Sequence, residues 1–121
     1  MYKVKFYKNK NGESKILNYL HELKSKNDKS SRIKLNKIND YISYLEQFGQ
    51  SIKEPYAKHL EGDIWELRPI RDRILYVARK NNSFLLLHIF QKDTQKTPKH
   101  EIKIAKQNLV DYTIRGAYNE K

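Results

Sequence analysis

Between Tyr56 and Gln91 four short runs follow one another: Tyr56–Leu60, Ile64–Ile70, Arg73–Lys80 and Ser83–Gln91. All are rich in β-branched and aromatic residues. They are split by Gly62-Asp63, Arg71-Asp72 and Asn81-Asn82, each suited to a hairpin turn. Such a block needs helices to cover it. Before it, residues 2–7 alternate as a half-buried strand does (Tyr2, Val4 and Phe6 against Lys3, Lys5 and Tyr7), and Asn9–Gly12 breaks the pattern. From Ser14 the apolar positions become Ile16, Leu17, Leu20 and Leu23, which is helical spacing. Residues 24–29 read as a short polar connection. Ser30 or Ser31 would cap a second helix with the stripe Leu35, Ile38, Ile42 and Leu45, flanked by Tyr41, Tyr44 and Phe48, and Gly49 falls where a C-terminal cap belongs. Thr97-Pro98 reads as the start of a last helix, with Ile102, Ala105, Leu109 and Tyr112 on one face. The order β-α-α-β-β-β-β-α predicts one α+β domain over residues 1–121: an antiparallel-rich sheet of four to five strands, an N-terminal helical hairpin and a C-terminal helix.

Composition narrows the function. The 121 residues contain no cysteine, so a disulfide framework, a thiolate nucleophile and a Cys-based zinc site are excluded. His21, His59, His88 and His100 fall in four different elements without paired-ligand spacing, so no metal or other cofactor is expected. No serine follows a nucleophile-elbow pattern. The longest apolar run, Phe84–Leu87, is far short of a membrane span, and Met1–Phe6 alternates with charge in place of a signal peptide's apolar stretch. A cytoplasmic setting without membrane contact is the expectation. The net charge of +11, shared by both halves of the chain, points to an anionic partner, nucleic acid or acidic protein.

Hairpin arithmetic locates the cations. If Arg71-Asp72 is a two-residue turn, Arg68 pairs with Leu75. If Asn81-Asn82 is the next, Leu75 pairs with His88 and Arg73 with Phe90. One sheet face then carries Glu66, Arg68, Arg73, His88 and Phe90, with Lys92 just beyond. The other carries Trp65, Leu67, Ile74, Tyr76, Leu85, Leu87 and Ile89 and should take the helices. The mixed face suits a phosphodiester: arginine forks grip phosphate oxygens, and fixed cations stabilise the charge that develops on phosphorus in the transition state. His88, with an ordinary pKa near 6.5, and Glu66 are the candidates for proton transfer.

Several of these segments, Trp65-Glu66-Leu67-Arg68, Arg71–Tyr76, Leu87–Lys92 and Lys96-Thr97-Pro98, resemble the RelE/ParE superfamily of bacterial toxins, and within it the HigB-like branch. The resemblance extends over nearly the whole chain and implies a RelE-like fold. It implies the toxin of a type II toxin–antitoxin pair, a metal-independent endoribonuclease that cuts mRNA at the ribosome. Its partner would be a HigA-like helix-turn-helix antitoxin, in a heterotetramer or higher complex. Arg73 falls on the family's arginine that opens the central strand and is implicated in phosphate contact, Arg68 on the arginine of the preceding strand, and Lys92 and Lys96 on its basic segment after the last strand. With His88 and Glu66 they make up the expected catalytic set, and Lys58, His59, Arg71 and His100 join Lys96 as expected RNA-binding residues. The chain departs from the family in having Ile64 and Glu66 where some relatives carry lysines. It also has no tyrosine in residues 93–101, where His100 is the nearest substitute. A ParE-like inhibitor of DNA gyrase and a plain basic nucleic-acid-binding module are the competing readings.

Overall fold

The computed structural model describes residues 1–119. Strand β1 (Lys3–Phe6) is followed by helices α1 (Lys15–Ser25) and α2 (Lys29–Phe48), and a 3-10 turn at Gly49–Ser51 closes the second. Strands β2 (Ala57–Glu61), β3 (Ile64–Leu67), β4 (Asp72–Arg79) and β5 (Ser83–Gln91) come next, then helix α3 (Lys99–Asn119). The result is the expected α+β architecture.

Local chemistry sets the helix ends. The Ser14 hydroxyl accepts from the Leu17 N–H at 3.1 Å and caps α1. Helix α2 begins earlier than its serines indicate. Asp28 is the cap, accepting from both the backbone N–H and the hydroxyl of Ser31 at 2.9 Å. These bonds hold its carboxyl below the usual range, as suits an anion at the positive end of a helix. At the other end, Gly49 has φ +59° and donates its N–H to the Leu45 carbonyl.

The sheet order is β1-β5-β4-β3-β2, with β1 parallel to β5 and every other pair antiparallel. Two features correct the hairpin arithmetic. First, Arg71-Asp72 is not a two-residue turn. Strand β3 stops at Leu67, because Pro69 can donate no ladder hydrogen bond, and Asp72 already belongs to β4. Leu75 therefore faces Glu66 rather than Arg68. The shift is two residues, an even number, so every side chain keeps its face. Second, the β4–β5 register changes between Leu75 and Tyr76: Leu75 pairs with His88 but Tyr76 with Leu86, leaving Leu87 as a bulge. That odd step turns Leu85 and Leu87 to the opposite face from the one expected.

Both faces of the sheet are covered. Leu67, Ile74, Tyr76, Phe84, Leu86 and Ile89 pack under α1 and α2 with Ile16, Ile38 and Leu45. Ile64, Leu75, Val77, Leu85, Leu87 and Phe90 pack under α3 with Ile102 and Ala105. The mixed face is thus not open along its length, because the bulge gives it enough apolar area to hold a helix. The far part of α3 is tied to the N-terminal segment, where the Tyr7 hydroxyl donates to Asp111 at 2.5 Å and Arg115 pairs with the same carboxylate at 2.6 Å.

Gly49 is doubly constrained: its φ is positive, and a Cβ there would enter the ring of Tyr2, a residue whose backbone N–H donates to Glu46 O at 2.8 Å. Gly12 also has positive φ but nothing within reach of a Cβ. Gly49→Ala should therefore cost roughly 2–4 kcal/mol, backbone strain plus overpacking, and Gly12→Ala only about 1 kcal/mol. Chemical denaturation of the two variants checks this ordering.

Candidate functional site

The segment between β3 and β4 builds the site. Arg68 N–H donates to Tyr56 O at 2.9 Å, Asp72 N–H to Pro69 O at 3.0 Å, and Lys92 N–H to Arg71 O at 2.9 Å. Pro69 is fully buried, while Ile70 beside it is exposed and has φ +56°, a conformation that a β-branched residue adopts only when its surroundings impose it. The gain from that bend is the position of Arg73. Its Nη1 donates to the carbonyls of Ile70 and Asp72, both at 2.8 Å.

Glu66 is the centre of the arrangement. It is 1% exposed, and its Oε1 lies 3.6 Å from Arg68 Nε and 3.8 Å from Arg73 Nε. Its Oε2 accepts a short hydrogen bond from the Thr97 hydroxyl. Thr97 therefore does not cap α3, which starts at Lys99. Its side chain fastens the carboxylate instead. Both Nε atoms are buried without a hydrogen-bond partner and face Glu66 by charge alone, while Arg73 is further anchored through its Nη1 bonds to the two carbonyls. Burial works against the Arg73 cation, the Glu66 charge works for it, and Arg68 adds a like charge.

These arginines open onto a cleft of about 430 Å³ lined by Arg68, Arg71, Arg73, Lys92 and Asp93 among others. The Lys92 ammonium is pushed below the ordinary lysine range, first by desolvation, with Arg73, Arg68 and Lys58 adding repulsion against the attraction of Glu66. Lys58 pairs across the sheet with Glu66, which puts it on the same face. Arg71 lies on the rim, paired with Asp93 at 3.6 Å. A cluster of this composition is chemically suited to a phosphate group: several cations, two of them nearly buried and one titratable, gathered around the buried Glu66 carboxylate.

Other expected residues are placed elsewhere. His88 is 2% exposed beneath α3, its Nε2 is 2.8 Å from Glu101, and its ring stacks on Phe90, so it cannot reach a substrate in the cleft. His59 is on the opposite face from Lys58, against Trp65 and within 2.7 Å of Gly62 O. His100 is exposed at the start of α3, 3.7 Å from Glu101. Lys96 is exposed in the preceding loop, its carbonyl accepting from Thr94 at 2.6 Å. Three residues were missed. Thr97 holds Glu66, and Asp93 is the carboxylate among the described residues lining the cleft. Asp72, expected in a turn, is buried, and Tyr19 of α1 donates to it at 3.1 Å.

Among the described residues no group of three or more His, Asp or Glu could hold a metal ion, and no helix is long and apolar enough to cross a membrane. A family model described as Phage derived protein Gp49-like (DUF891) matches residues 18–110, a span running from α1 through most of α3 and including every cleft residue. No curated protein matches the chain.

Two outcomes follow from the burial of these groups. Glu66→Gln removes the buried countercharge shared by Arg68 and Arg73 and should destabilise the fold by about 3–5 kcal/mol, read by denaturant unfolding. His88 has its pKa lowered, first by burial, with the Glu101 bond opposing. The unfolded chain then binds a proton below about pH 6.5 that the fold resists, so this group's contribution falls as pH drops through that point. Asp72, raised by burial, works with the opposite sign at lower pH. Melting temperature measured against pH should therefore show a smaller decline below pH 6.5 in His88→Gln than in the native chain.

Proposed function

The chain belongs to the Gp49-like family of phage-derived proteins, a RelE- and toxin-like family associated with toxin–antitoxin systems, and from that premise we propose that it is a HigB-like, ribosome-dependent mRNA endoribonuclease. The observation that carries this reading is the Arg68–Glu66–Arg73 cluster opening, with Lys92, onto a polar cleft. In the reaction the ribose 2′-oxygen attacks the adjacent phosphorus and the bond to the 5′-oxygen breaks. The products are a 2′,3′-cyclic phosphate and a 5′-hydroxyl. Arg73 and Arg68 hold the non-bridging oxygens and the charge that grows on them. Lys92, its ammonium made a stronger acid by desolvation, delivers the proton to the leaving 5′-oxygen.

The proton on the 2′-hydroxyl needs an acceptor. His88 is enclosed under α3 and Glu66 is committed to two arginines and Thr97, so neither takes this role. Asp93 on the cleft rim takes their place. The ribosome supplies orientation of the strand, which a shallow site on a small domain cannot supply alone. A HigA-like antitoxin in a heterotetramer or larger assembly neutralises the toxin in the cytoplasm, attracted by its +11 charge.

Induction of the native chain and of Arg73→Ala in cells tests the assignment, with growth, protein synthesis and mapped mRNA 5′ ends as readouts. Arg73→Ala should lower cleavage by about 10²–10³-fold and relieve growth arrest. Asp93→Asn should slow cleavage by about 10²-fold or more. Retained toxicity in Arg73→Ala, or arrest with altered DNA supercoiling and intact mRNA, overturns the reading.

A further inference from the structure

Beside the arginine cleft lies a second cavity, of about 580 Å³, whose walls include Tyr44, Phe48, Tyr56, Lys53 and Glu54. Phe48 is 55% exposed and Tyr56 44%, although both are large rings that a solvated surface would bury. Tyr56 belongs to an aromatic group. Tyr41, Tyr44 and Tyr56 pack with ring centroids 5.5–5.6 Å apart, Tyr56 edge-on to the other two. Within this group Tyr56 is held by its neighbours while its outer surface stays open.

The two cavities have no wall residue in common but are linked through Arg68: the Tyr56 carbonyl accepts the Arg68 N–H at 2.9 Å, and Glu54 in the wall of the second lies 4.0 Å from the Arg68 guanidinium in the wall of the first. Exposed rings next to a cationic groove are the combination that holds single-stranded nucleic acid, phosphates on the cations and bases on the rings. We propose that this cavity is a base-stacking subsite. It takes the nucleobase next to the phosphate bound by Arg68 and Arg73, with Tyr56 and Phe48 as the stacking surfaces and Lys53 on the neighbouring backbone. The inference rests on the phosphate reading and extends it: the substrate is single-stranded RNA with unstacked bases, because a base held in a helix cannot turn its face to Tyr56.

The test uses the full chain and a short single-stranded RNA made uncleavable by 2′-O-methylation, beside the same backbone with abasic positions. Tyr56→Leu and Phe48→Ala, each shown by melting to be folded, should bind the base-containing strand about tenfold more weakly and the abasic strand as the native chain does. Arg73→Gln should weaken both. If Arg73→Gln weakens binding and neither ring variant does, the stacking subsite is overturned and the phosphate site stands. If Arg73→Gln weakens neither strand, the phosphate reading fails and the subsite with it. Ring variants that bind RNA normally but lose the antitoxin complex also overturn the proposal, since the cavity then belongs to a protein partner.

Discussion

A carboxylate enclosed by protein persists as an anion only if countercharges come with it, and Glu66 meets that condition with two arginines and a threonine. Much of the architecture can be derived from this need. Arg68 must leave the strand just after Glu66, so β3 is short and Pro69 follows. Arg73 must return to the same carboxylate from β4, so the connection bends tightly enough to force Ile70 to positive φ. Thr97 must reach Glu66 from the far side, which fixes where the chain enters α3 and hence which half of the face the helix covers. Counting charges completes the argument. Arg68, Arg71, Arg73 and Lys92 against Glu66 and Asp93 leave an excess of two positive charges at the cleft. That excess matches one phosphodiester together with the additional charge it acquires at a pentacoordinate transition state.

A single sheet face therefore serves two purposes. Along Leu75, Leu85, Leu87 and Phe90 it is core, and α3 seals it. At the end where Arg68, Arg73 and Lys92 lie it is open. His88 is on the same face but on the sealed half, and this decides its chemistry. Desolvation favours its neutral form and Glu101 occupies its nitrogen, so its role is to link β5 to α3. A histidine with a suitable solution pKa becomes a structural group once a helix covers it.

The sequence made the faces of the central hairpins legible, but not how far the chain folds over them. Side chains alternate with period two, so the pairing of Arg68 with Leu75 could be wrong by two residues while Glu66, Arg68 and Arg73 still converged. The bulge at Leu87 is a one-residue step with no glycine, proline or other mark, and Leu85 and Leu87 were accordingly assigned to the wrong side. Capping showed a similar limit: Asp28 lies two residues ahead of Ser30, and both are good caps, so propensity alone could not choose. Thr97 was visible as a helix start, yet its hydroxyl is drawn to Glu66, a residue distant in sequence. Tyr41 and Tyr44 were legible as helix-packing residues. What exposes the aromatic group is the position of Tyr56 at the head of β2, a tertiary fact.

The charge of +11 acts at two ranges. Most lysines are on exposed helix surfaces and loops, where charges more than a Debye length apart, about 8 Å at physiological ionic strength, are largely screened. They raise the rate of encounter with an anionic partner and contribute little once contact is made. Arg68 and Arg73 are different, with side chains 22% and 11% exposed and a buried carboxylate between them. Their field is only weakly screened, and their geometry is set by the fold rather than by the ligand. In the proposed reaction, binding a phosphate there would need little rearrangement, so the interaction would strengthen as charge develops, which is the condition for catalysis as distinct from binding. The same total charge spread over flexible lysines would supply binding without that preorganised stabilisation.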